Sequence, residues 1–85
     1  MDEKEVYDKL NKELIEEYSG VCDYISLSKA ITHDGYAQIL RDIAMEEWTH
    51  ANHIRSILED SGKLTDADKA HEWCMKAEDS IKSLS

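Results

Sequence analysis

Leu10, Leu14, Val21 and Ile31 recur along the first third of this chain at alternating steps of four and three, and Glu17, Tyr24 and Ser28 complete the series. That spacing keeps one helix face turned toward a neighbour, and it predicts a helix over about residues 3 to 32. Tyr36, Leu40, Ile43, Glu47, His50, Ile54 and Ile57 repeat the pattern and predict a second helix over about residues 36 to 61. Between them, Thr32-His33-Asp34-Gly35 reads as a turn, with Gly35 free to take positive φ and Thr32 or Asp34 able to cap the next helix. Gly62 stands where a C-terminal stop belongs. Thr65-Asp66-Ala67-Asp68 has the form of a capping box and predicts a third helix to about residue 84. Its face is made mostly of small side chains, Ala67, Ala70, Cys74, Ala77, Ile81 and Leu84. Such a helix is expected either across the end of the first two or against another subunit.

A connection this short folds the first two helices into an antiparallel hairpin. With the turn centred between His33 and Asp34, facing residues have numbers that sum to 67, so Glu17 faces His50 and Glu47 faces Gly20. Three polar residues therefore fall at one level of two apolar seams, and Gly20 leaves room beside them.

Composition agrees with an all-α chain: there is no Pro, Gly occurs three times, and no strand pattern competes. With 85 residues the chain forms a single domain, 1–85, with a modest core. A chain this short buries only about 60 % of its unfolded surface, so burial by a partner would help it. The formal charge of −9 repels phosphate backbones and anionic headgroups, which argues against nucleic acid and membrane surfaces as partners and favours cations. Cys22 and Cys74 form neither a paired metal motif nor a disulfide framework, as expected of a reducing, cytoplasmic setting. No signal peptide or membrane span is legible, so a soluble protein is expected.

Glu47-Trp48-Thr49-His50 is a Glu-x-x-His pair, and residues three apart project from the same helix face. A carboxylate and an imidazole together suit iron, manganese or zinc better than calcium. Glu17 would add a second carboxylate from the opposite helix. Glu13 and Glu16, within a turn of Glu17, are alternative ligands or carboxylates along an ion's way in, or else simply solvated acids. The remaining histidines, His33, His53 and His71, read as surface residues, and Trp48 and Trp73 as packing residues.

On Glu17, Tyr24, Glu47 and His50 the stretch from about residue 10 to 60 resembles the ferritin-like superfamily. The di-metal site of that superfamily takes a Glu from each of two helices and a Glu-x-x-His from each of two others. The resemblance implies a four-helix bundle, two iron ions, with manganese or zinc as substitutes, and oxidation of Fe²⁺ by oxygen or peroxide. It makes Glu17, Glu47 and His50 metal ligands, and places Tyr24 beside the metal centre as a residue interacting with a ligand carboxylate or the oxidant. This chain carries only one Glu and one Glu-x-x-His, half of that set. A second copy, in a homodimer or higher homo-oligomer, would complete it. Such an arrangement is similar to the encapsulated ferritins, short two-helix chains held within a protein compartment and associated with a shell. The final residues Ile81-Lys82-Ser83-Leu84-Ser85 show no recognisable shell-docking tail. The other implied activity is that of a rubrerythrin-like peroxidase with a separate redox partner as electron donor, since no four-cysteine module is present.

A plainer reading stands beside these. Polar residues on a seam can fix register, and a Glu17–His50 hydrogen bond across the hairpin would satisfy both without metal; the chain would then be a non-catalytic dimerisation or interaction module, with its third helix presented to a partner.

Overall fold

The computed structural model describes residues 1–85 as three helices: α1 (Glu3–Ala30), α2 (Asp34–Asp60) and α3 (Ala67–Lys82). No strand is present, and no helix is long and apolar enough to cross a membrane. Each helix starts on a side chain that accepts from an orphan backbone N–H. Asp2 accepts from the Glu5 amide at 2.8 Å and Asp66 from the Lys69 amide at 2.9 Å. Asp66, rather than Thr65, therefore caps α3.

The first turn differs from the expectation in its details. His33 is the cap of α2, its Nδ1 accepting from the Tyr36 amide at 3.2 Å, and its ring stacks on Tyr36. Asp34 and Gly35 are already helical, and Gly35 does not take positive φ. Gly62 does, at φ 70°. Behind it the Gly62 amide donates to the Glu59 carbonyl at 3.1 Å and the Lys63 amide to the Leu58 carbonyl at 2.8 Å. That pair of bonds satisfies two end carbonyls of α2, and the left-handed residue it requires is one that glycine adopts without a Cβ penalty.

α2 returns antiparallel along α1, and α3 then runs parallel to α1 along an adjoining face. The α3 end of the connection is tied down where the Asn11 side chain donates to the Lys63 carbonyl and accepts from the Thr65 amide, at 2.9 and 3.0 Å. At the other end, Lys29 Nζ donates to Ser83 Oγ at 2.6 Å. α1 is thus the central helix, and it sets the shape: 28 residues at about 1.5 Å each make about 42 Å, close to the longest extent in 45 × 25 × 15 Å.

Having two neighbours shifts the buried line of α1 from the single seam expected. Leu14, Tyr18, Val21, Ile25 and Ser28 are buried, because Tyr18 and Ile25 point between α2 and α3. On α2 the buried line is Ala37, Ala44, Ala51 and Leu58. Alanines carry little apolar area and so weigh little in a hydrophobic pattern, yet they let two backbones approach closely. The residues expected on the α2 seam are displaced to its edge: Leu40, Ile43, Glu47 and Ile54 are half-buried, whereas Tyr36, His50 and Ile57 are exposed. α3 contributes Ala70 and Ala77 to the core, with Cys74, Ile81 and Leu84 packed around them.

Only 11 of 85 residues are buried, and one flank of the hairpin is left uncovered. By helical spacing, Val6, Leu27 and Ile31 of α1 lie on that flank with Tyr36, Ile39 and Ile57 of α2, all exposed. Glu17, Glu47 and His50 lie among them.

Candidate metal half-site

The hairpin register places the three candidate ligands as the spacing argument requires. His50 Nδ1 stands 3.7 Å from Glu17 Oε2, and the Glu47 carboxyl lies against Gly20. Glu17 belongs to the middle of α1, while Glu47 and His50 sit one turn apart in the middle of α2, so the rigid parts of two helices position them. Their exposures differ sharply: the Glu17 side chain is 16 % exposed and the His50 side chain 60 %. His50 therefore points to the rim of the flank, not into the seam.

Two atoms stand out electrostatically. Glu17 Oε2 and Glu47 Oε2 are both buried without a hydrogen-bond partner. A buried acceptor left unmatched costs about 1–3 kcal/mol, more when charged, and folded chains keep such groups few. Burial, followed by the neighbouring Asp23 carboxylate, raises the Glu47 pKa above its ordinary value of 4.5; His50 opposes the shift and Glu13 adds to it. Asp23 was not among the residues singled out by the seam pattern. Its position three residues after Gly20 on the same side of α1 was the available signal.

The donor set fits a divalent transition ion in kind, two carboxylates and an imidazole. It does not close on one within a single chain: no three His, Cys, Asp or Glu side chains converge on a common point. Tyr24 is half-buried and packs against the core cluster. Glu13, Glu16 and Glu46 are exposed.

The buried face of α1, turned toward α2 and α3, holds a polar cluster that the sequence pattern did not reveal. Tyr18 is wholly buried, donates its hydroxyl to Asn52 Oδ1 at 3.0 Å, and meets the Trp48 ring with centroids 5.7 Å apart. Burial and the adjacent Cys74 push its phenol up to about 12, with Arg55 pulling the other way. This cluster fastens α3 and α2 to α1. Cys22 and Cys74 are free and half-buried.

No family model matches the chain, and neither a curated protein nor a solved structure matches it.

Proposed function

We propose that two copies of this chain pair through the uncovered hairpin flank, hold two iron ions between them, and oxidise Fe²⁺ with oxygen or peroxide. The observation that carries this reading is the pair of buried oxygens without a hydrogen-bond partner, Glu17 Oε2 and Glu47 Oε2, on facing helices beside His50. Apposing two such flanks about a two-fold axis brings together four carboxylates and two imidazoles. Four ionised carboxylates alone would repel and take up protons, whereas two divalent ions cancel their charge.

In this assembly Glu17 and Glu47 are the anionic ligands and His50 the nitrogen ligand, drawn in from the rim as the second copy covers it. The apolar residues around them, Leu27, Ile39, Ile43, Ile54 and Ile57, exclude water on association. Tyr24, half-buried one heptad beyond Glu17, donates its hydroxyl to a ligand carboxylate or meets the oxidant. The net charge of −9 concentrates cations around the protein. Iron, when bound, supplies one-electron chemistry, two Fe²⁺ together giving the two electrons that one peroxide molecule takes.

The 3.7 Å approach of His50 to Glu17 favours a second reading, in which the pair is a polar layer that fixes register in a dimer without metal. Anaerobic Fe²⁺ loading followed by pulses of oxygen or peroxide separates the two. The proposed function expects Fe³⁺ to form faster than in protein-free buffer, and expects Glu47→Ala and His50→Ala to lose that increment while keeping their helicity. Oxidation no faster than in buffer contradicts it. Oxidation with peroxide but not with oxygen identifies peroxide as the oxidant.

A further inference from the structure

Gly20 lies in the interior of α1, and its backbone is ordinary helix, since Gly62 alone takes positive φ. Nothing in its conformation calls for glycine, which is among the poorest residues for a helix interior. The reason lies across the hairpin. A Cβ at position 20 would stand 2.7 Å from Glu47 Cδ and 3.0 Å from Glu47 Oε1, and its three nearest neighbours outside its own helix are all atoms of that carboxyl group. Were the glycine there to let two helix backbones approach, backbone atoms of α2 would occupy this place instead.

We propose that Gly20 is a positioning residue: it forms a notch in α1 that admits the Glu47 carboxylate against the helix backbone and holds it at the level of Glu17 and His50. The role rests on the proposed ion-binding function of Glu47. Two features adverse to folding coincide at this point, a glycine in mid-helix and a carboxylate oxygen buried without a partner. Either is removable by a single substitution. A divalent ion gives both a purpose, because the notch places against α1 a carboxylate oxygen that no side chain of this chain satisfies.

Gly20→Ala tests the assignment. The displaced carboxyl is the end of a flexible side chain and can swing toward solvent, so the metal-free Tm is expected to hold or rise. Fe²⁺ affinity, titrated anaerobically, is expected to fall about 10- to 100-fold, as for other residues that orient a ligand. Adding Glu47→Asp to Gly20→Ala shortens the acid where the methyl intrudes and is expected to recover part of the affinity, although Glu47→Asp alone weakens binding. Unchanged affinity in Gly20→Ala overturns the assignment, and so does a metal-free Tm that falls by several degrees, because the glycine would then serve helix packing. A measurement without metal separates this inference from the function it rests on. Nuclear Overhauser contacts between Gly20 Hα and Glu47 Hγ are expected in the metal-free protein. If they are present and Fe²⁺ does not bind, the proposed function fails and the notch stands as geometry; if they are absent, the notch fails whether or not iron binds.

Discussion

Replacing Glu47 with Met should make the metal-free protein more stable and the iron-loaded protein less so. Met is unbranched, flexible and of similar length, so it can fill the slot beside Gly20 without strain. It removes the buried, partnerless Oε2 and the unfavourable neighbourhood of Asp23 and Glu13. Relief of one unmatched buried acceptor is worth about 1–3 kcal/mol. The half-buried position of Glu47, with only one of its oxygens sealed from solvent, puts the expected gain near the lower end, about 1 kcal/mol. For a domain of this size that is a rise in Tm of about 4–8 °C. Iron reverses the order. A ligand at a hundredfold excess over its Kd adds about 2.7 kcal/mol to the wild type, and a variant lacking one carboxylate of the site forgoes most of it. The assay is a pair of thermal melts for each protein at one fixed protein concentration, with chelator and with anaerobic Fe²⁺. The curves should cross: the variant melts higher in chelator and the wild type higher in iron. A Glu47→Met protein that melts below the wild type in chelator refutes the reasoning, because the carboxylate would then be contributing to the fold.

Three further outcomes follow from the same geometry. Because the folded-state pKa of Glu47 is raised above 4.5, the folded protein binds more protons than the unfolded one just above that pH; the stabilisation is fully present below it and lost as pH rises through the raised pKa, so chelated melts should show this loss in the wild type and less of it in Glu47→Gln. Tyr18→Phe breaks the 3.0 Å bond to Asn52 and should cost about 0.5–1.5 kcal/mol in urea unfolding; iron binding should stay unchanged, since Tyr18 is buried between α2 and α3 and not on the uncovered flank. Ile39→Lys with Ile57→Lys places charges on that flank at two exposed positions and should give a monomer of undiminished helicity by sedimentation and circular dichroism, whereas a pair that still dimerises would locate the interface elsewhere.

The hairpin was legible because its two determinants are local. Steps of four and three mark helices, and a short turn fixes which residues face each other, so the sum of 67 puts His50 beside Glu17 and Gly20 beside Glu47, as the structure has them. What the pattern did not place was the third helix, expected across the end of the hairpin or against another subunit. α3 lies along α1, parallel to it, and draws Tyr18 and Ile25 into the core. The small-residue face of α3, with Ala70 and Ala77, was legible, whereas a tally of large apolar side chains passes over Ala37, Ala44 and Ala51 on α2. The same oversight put His50 in the seam when it stands at the rim. Capping shows a related limit: His33 and Asp66 took places that Thr32, Asp34 or Thr65 could also have filled, because several neighbouring side chains can reach the same amides and only tertiary packing decides among them.

Iron content and assembly mass, measured together by sedimentation through an anaerobic Fe²⁺ titration, test the shared site most directly. The account predicts a dimer or a multiple of it, built from the 9.8 kDa chain, that saturates at about one iron per chain, with neither Glu17→Ala nor His50→Ala reaching that ratio. A monomer at saturating iron, or a folded dimer that takes up none, would contradict it.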